Sequence, residues 1–274
     1  KGRLKECRKV LQKIEPENTV NDLIGQMEVE IEKDRNSAVG WRYLMQPWLR
    51  TPLMIAVCIM FFQQFVGINT VIYYSPKIFL MAGFESTLSA IWASVGIGIV
   101  NVVFTVISLY LVDRIGRRKL YFIGLSGIAF SVLCLSACFI YANQLGEIGR
   151  WLMVIFMFGY VAFFAISIGP LGWLVISEIF PQKVRGLGTS IGSLAVWIFN
   201  CIVSFTFFKI IDFFSIPGTE IVVGQTTSEN PAGAFFLYGF IAVLGLVWGY
   251  LFLPETKGLS LEEIEQKWRK NREC

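Results

Sequence analysis

TPLMIAVCIMFFQQFVGINTVIYYSP, residues 51–76, contains no charged side chain. A bilayer core about 30 Å thick takes about 20 apolar residues to cross as a helix, because unpaired backbone amides are too costly in hydrocarbon. This run is long enough, and five more follow: residues 86–112, 120–146, 151–177, 186–208 and 230–254. The six runs predict an all-α membrane protein with six transmembrane helices. Composition agrees. The 274 residues are 55% hydrophobic and 16% charged, with a mean hydropathy of +0.60. Soluble domains carry about 25% charge. The charged residues crowd into residues 1–50 and 251–274, so the net charge of +4 describes solvated ends around a lipid-compatible middle. It does not describe a nucleic-acid patch, and no nucleic-acid partner is expected. Histidine is absent. That removes Ser-His-Asp and Cys-His catalysis and any imidazole metal site, so no enzyme activity, metal or cofactor is expected.

Basic residues set the expected orientation. Asp113-Arg114-Ile115-Gly116-Arg117-Arg118-Lys119 lies between spans two and three, and Lys183 with Arg185 between spans four and five. The opposite loops carry Glu85, Glu147 with Arg150, Asp212, Glu220 and Glu229. The positive-inside rule places Arg117 and Lys183, and with them both ends of this chain, in the cytoplasm. Residues 1–14 read as a short amphipathic helix. Thr19 with Asp22 caps a second through Glu32, and Trp41 to Trp48 suits a membrane surface. A solvated linker is the alternative for this segment. At the other end, Ser260 and Glu263 form a capping box for a polar helix. The expected domains are a linker with short helices (1–50), a transmembrane bundle (51–254) and a cytoplasmic tail (255–274). Cys134 and Cys138 share a helix face, and with no second pair they read as buried small hydrophobes.

Polar groups inside spans need a partner or a task. Span one carries Gln63, Gln64, Asn69 and Tyr73 within eleven residues, with Gly67 and Pro76 able to bend or unwind the helix. Neutral amides and phenols suit a ligand covered in hydroxyls, not an ion. Interhelical hydrogen-bond glue is the competing reading, and it accounts for one or two amides more easily than for four groups. Asn101 in span two fits either role. Gly169-Pro170-Leu171-Gly172-Trp173 predicts a broken helix in span four. The Trp173 face could stack on a sugar or simply pack, and Trp197 and Asn200 in span five invite the same two readings. Glu178 sits near the cytoplasmic end of span four, where it either carries a coupling proton or bridges to Arg117, Arg118 or Arg185 and holds an inner gate. The bridge is the expected role.

These motifs together resemble the sugar porter family of the major facilitator superfamily. Gln63 to Pro76 is similar to that family's seventh-helix motif, and Asp113 to Lys119 to the superfamily's basic loop. Gly169-Pro170-x-x-Trp173, Glu178-Ile179-Phe180-Pro181 and Arg185-Gly186 resemble its tenth-helix pattern. Pro254-Glu255-Thr256-Lys257-Gly258 resembles its C-terminal motif. The likeness runs toward bacterial sugar–proton symporters of the xylose, arabinose, galactose and inositol type. It implies a C-terminal half, helices seven to twelve, of a twelve-helix fold in a cell (inner) membrane. An N-terminal six-helix half lies outside this chain. By the resemblance, Gln63, Gln64, Asn69, Asn101 and Trp173 contact a monosaccharide, and Trp197 and Asn200 line the inner cavity. Tyr73 and Tyr74 form an outer gate. Arg117, Arg118, Glu178, Arg185 and Glu255 form a cytoplasmic charge network.

One position departs from the pattern: Val196 stands where many members have an amide. The symporters carry their proton-coupling acid on the first helix, outside this chain. Proton symport, facilitative sugar or inositol transport, and an inactive remnant or membrane-embedded interaction module therefore stay open. An intramembrane enzyme lacks both an acidic dyad and an activated nucleophile.

Overall fold

The computed structural model describes residues 20, 24–25, 44–84, 86–215, 221–223, 226–258, 263–264 and 268. The expected helix at 1–14, the Thr19–Asp22 cap, Trp41, Glu85, Glu220 and Ser260 lie outside these residues. The chain divides into two units, Lys1–Gln46 and Pro47–Cys274. In the first, Val20, Ile24, Gly25 and Leu44 are helical, and Val20 and Leu44 are buried.

Among its described residues, the regular structure of the second unit is helical apart from one short hairpin. Helix α1 (Arg50–Phe65) follows a 3₁₀ turn, Pro47–Leu49, and is succeeded by α2 (Ile68–Met81) and α3 (Thr87–Ile115). Next come α4 (Arg117–Ile140), α5 (Ala142–Ile166), α6 (Ile168–Ile179) and α7 (Arg185–Phe213). The hairpin pairs β1 (Ile221–Val223) antiparallel with β2 (Thr226–Ser228), and α8 (Ala232–Phe252) completes the bundle. Among the described residues these make six membrane-length apolar segments: Pro47–Met81, Thr87–Ile115, Arg117–Ile140, Ala142–Ile179, Arg185–Phe213 and Ala232–Phe252. The six expected spans stand, two of them as broken pairs, α1/α2 and α5/α6.

Inside the bundle, α4 packs on α5 and α8, α1 on α7, and α3 on α5 and α2. Polar side chains are spent on carbonyls of neighbouring helices. Tyr121 Oη donates to Gly245 O at 2.9 Å and Ser136 Oγ to Ala232 O at 2.8 Å, both buried. Hydrogen bonds of this kind join helices in a medium that offers no water. Outward, α3 presents Leu88, Trp92, Ile99, Val102 and Leu109, an exposed apolar face compatible with lipid.

Both breaks lie near polar residues. Gly67 separates α1 from α2 with φ +86°, a left-handed conformation that disfavours any side chain, and a Cβ there would collide with the Tyr238 ring. Pro76 does not break α2. Its ring leaves the Ile72 carbonyl without an amide donor, and the Ser75 hydroxyl bonds that carbonyl at 3.4 Å.

The span-four break falls upstream of the expected Gly169–Gly172 segment. It lies at Ser167 (φ −122°, ψ −102°), and Gly169 and Pro170 already belong to the first turn of α6. Proline suits a first turn, where its amide would have no intrahelical partner. It excludes the chain four residues earlier from the same helix, which puts the break before it. Gly124 of α4 leaves room there for the Ser167 side chain.

Candidate functional site

The two breaks meet. Gln63 Nε2, one turn before Gly67, donates to Ile168 O at 3.0 Å and Gly169 O at 2.7 Å, at the start of α6. Carbonyls only accept, so Gln63 must turn its NH₂ toward them and its Oε1 away. Gln64 Nε2 donates to that Oε1 at 3.3 Å, and Asn69 Nδ2 donates to Gln64 Oε1 at 2.6 Å. The amide orientations therefore follow one from another along Asn69→Gln64→Gln63→span-four backbone. Gln63 and Gln64 are buried, and Asn69 is half-buried at the open end of the chain, with Oδ1 unspent.

That open end faces a cleft of about 360 Å³. Gln63, Gln64, Asn69, Asn101 and Trp173 all line it, so five of the seven expected sugar contacts come together in one place. Thr105 joins them, and Ile68, Phe164, Ala165, Pro170 and Val196 form the apolar remainder. The four amides that border the cleft lie on spans one and two and the indole on span four, so the cleft has polar and apolar walls. Hydroxyls can meet amides on one side and a ring's CH face can meet Trp173 on the other.

The remaining two expected contacts lie elsewhere. Trp197 is exposed and does not line the cleft. Asn200 is buried, its Nδ2 donating to Tyr73 Oη at 3.4 Å while its Oδ1 accepts from Ser204 Oγ at 3.1 Å. Tyr74 Oη donates to Ser204 O at 3.3 Å and its ring stacks on Phe207, 5.5 Å between centroids. Asn200 thus belongs with Tyr73 and Tyr74 in a cluster that ties α2 to α7. Asn200 lies one turn beyond Val196 on the same face of α7, and its amide is spent on Tyr73 and Ser204 instead of on the cleft.

At the Arg117 end a second cleft, about 460 Å³, is lined by Ser108, Val112, Asp113, Arg117, Leu174 and Ser177 among others. Pro170 and Trp173 line both clefts, so Trp173 stands where the amide region passes toward the charges. There Arg117 Nη2 pairs with Glu178 Oε1 at 2.9 Å and Arg117 Nη1 with Asp113 at 3.4 Å. Glu178 Oε2 accepts from the Thr256 hydroxyl at 2.6 Å. Glu178 therefore makes the expected bridge, and its partner is Arg117.

Glu255, expected in the charge network, meets it through backbone amides. Its carboxylate accepts the backbone amides of Arg117 (3.0 Å) and Arg118 (3.2 Å), the first residues of α4, and those of Thr256 and Lys257. A carboxylate there satisfies orphan amides and meets the positive end of the helix dipole. Gly116, at φ +96°, allows the close approach. Arg118 turns outward to Tyr250 O at 2.8 Å. Arg185 does not join the network: its Nε and Nη2 are buried with no hydrogen-bond partner among the described residues.

Three participants were not expected from sequence. Thr105 lies one turn from Asn101, and its i+4 spacing could have flagged it. Tyr160, whose hydroxyl donates to Val66 O at 2.8 Å, reads in sequence as one more span aromatic. Thr256 carries no signal beyond its place beside Glu255. Among the described residues, no group of three or more metal-ligating side chains converges.

The family model "Sugar (and other) transporter" matches residues 1–268. The chain is 33% identical over 268 residues to the D-xylose-proton symporter of Escherichia coli (strain K12), covering 98% of this chain and 51% of the relative. It is 34% identical over 271 residues to the glucose facilitated diffusion protein of Zymomonas mobilis subsp. mobilis, covering 98% and 53%. A solved structure of the proton:xylose symporter XylE bound to 6-bromo-6-deoxy-D-glucose superposes with a TM-score of 0.73 at 32% identity, covering 97% of this chain and 52% of that one. The chain spans about half the length of the curated relatives it matches.

Proposed function

The chain belongs to the family of sugar (and other) transporters, and from that premise we propose that it is the C-terminal six-helix half of a twelve-helix monosaccharide transporter. In this reading residues 1–50 link the halves, 51–254 form the bundle and 255–274 form the tail. The Arg117 end and both ends of the chain face the cytoplasm of an inner membrane. The observation that carries the reading is the oriented chain Asn69→Gln64→Gln63 opening on a cleft shared with Asn101 and Trp173. A pentose or hexose binds there, its hydroxyls on the amides and its ring face on Trp173. Neutral donors and acceptors can trade places with water as sugar enters and leaves, which a fixed charge in a span could do only at high cost.

Transport proceeds by alternating access, the two halves rocking about the bound sugar. Tyr73 and Tyr74 close the outer side. The Arg117–Glu178–Thr256 cluster closes the inner side and separates when the site opens inward. Proton symport is the proposed mode. Its acid lies on the other half, because Glu178, the one carboxylate near a span interior here, is already held by Arg117 and Thr256. The facilitative alternative draws on the Zymomonas relative, a glucose facilitated diffusion protein of comparable identity.

Uptake of labelled pentoses and hexoses into proteoliposomes holding the full-length protein, with and without a pH gradient, tests this function. The expected result is saturable uptake of one or a few sugars, accumulated above equilibrium only with the gradient, acid outside. Uptake of none overturns the reading. Equal uptake with and without the gradient selects facilitative transport.

A further inference from the structure

We infer that Tyr160 is a positioning residue for the sugar: with Gln63 it fastens the breaks of spans one and four to each other, and so fixes the face Asn69 shows to the cleft. The inference rests on the sugar-binding reading above. At the first break, the Thr70 amide turns to Gly67 O (3.2 Å), the acceptor it shares with the Thr70 hydroxyl (2.7 Å). In an unbroken helix that amide would serve Val66 O. The stranded Val66 carbonyl is instead capped by Tyr160 Oη at 2.8 Å, from a fully buried side chain two turns before the Ser167 break of span four. In return, Gln63, one turn before the Gly67 break, caps Ile168 O and Gly169 O of span four. Each broken helix thus supplies a donor to carbonyls beside the other break, Tyr160 to the stranded Val66 O and Gln63 to the first-turn carbonyls of α6.

The arrangement is reciprocal, and neither side can slip alone. Sliding span four by a turn would strand Val66 O and leave the buried Gln63 NH₂ without its two acceptors in a dry interior. Gly67 must also stay against the Tyr238 ring, which leaves no space for a side chain. Asn69 lies two residues past Gly67, and its Nδ2 is committed to Gln64. The break geometry therefore decides that Oδ1 is the atom offered to the cleft. Tyr160 is not among the residues that line the cleft and acts through this chain.

The test is a double-mutant cycle in the full-length protein, reading the dissociation constant of the transported sugar by calorimetry for wild type, Y160F, N69A and the double variant. Y160F removes one oxygen and keeps the ring. The expected result is about tenfold weaker binding for Y160F and for N69A, with the double variant within about threefold of N69A, because both changes disable one pathway. Wild-type affinity in Y160F overturns the inference, as does a double variant whose losses multiply. Hydrogen exchange of the Gly67–Asn69 amides without sugar reads the latch alone. Faster exchange in Y160F supports it, and unchanged exchange overturns it whatever the sugar does. Failure of wild type to bind any sugar would instead count against the transport reading. Should Y160F not fold, 3-fluorotyrosine placed at 160, a stronger donor, is expected to slow that exchange, and no change would overturn the latch.

Discussion

The middle of the bundle and its Arg117 end solve the same problem with different groups. Midway along span one, three amides pass hydrogen bonds in one direction and end on backbone carbonyls. At the Arg117 end, one guanidinium and one carboxylate pair at 2.9 Å, with a second carboxylate capping a helix. Neutral bonds in a dry setting cost little to keep and orient a ligand without demanding a counter-charge. The edge pair is mostly buried, with side chains 13% and 20% exposed, and sits at the end of the span, so its charges can regain water as they separate, which offsets part of the cost of breaking it. The first arrangement suits holding and the second suits opening.

The largest effect that could break this comparison comes from the hinge. Gly67→Ala adds a Cβ that meets the Tyr238 ring at a positive φ, costing roughly 2–5 kcal/mol from the left-handed backbone and overpacking together. Thermal melting of the detergent-purified full-length protein should show a marked loss, with sugar binding lost as well. A variant as stable as wild type would mean that the break is not locked. Next in size is Glu178→Arg, which sets two guanidiniums against each other at the edge. Uptake should fall by more than about tenfold while sugar affinity in calorimetry stays within about threefold. Equal losses in uptake and affinity would merge the two regions and remove the distinction between holding and opening.

How much of this was legible in the sequence follows the same division. The six spans could be read because hydrocarbon forbids charge over about 20 residues, a rule that needs no neighbour. Gln63, Gln64, Asn69, Asn101 and Trp173 could be picked out because polar or aromatic groups in such runs stand out one by one. The partners could not. That Gln63 spends its NH₂ on Ile168 and Gly169 depends on two distant breaks meeting, more than one hundred residues apart in the chain. The position of the span-four break was misplaced because Pro170 marks the start of a helix as readily as an interruption, and only the backbone at Ser167 decides which. The resemblance places Asn200 at the inner cavity, yet its amide donates to Tyr73, a partner that no spacing in the sequence reveals. The resemblance places Glu255 in the charge network, but the amides through which it joins, those of Arg117 and Arg118, cannot be read from sequence. Val196 was visible as a departure, and it does line the cleft.

The smallest of these effects bears on the central claim most directly. Gln64 is the middle link, accepting from Asn69 and donating to Gln63. Removing it leaves the buried Gln63 Oε1 and the half-buried Asn69 Nδ2 short of a partner, about 1–3 kcal/mol. Calorimetric titration of the transported sugar into wild type and Gln64→Ala, both folded by their melting curves, is the decisive measurement. The account predicts a dissociation constant raised about tenfold in Gln64→Ala. Identical affinity in the two proteins would contradict it and reduce the amide chain to glue between helices.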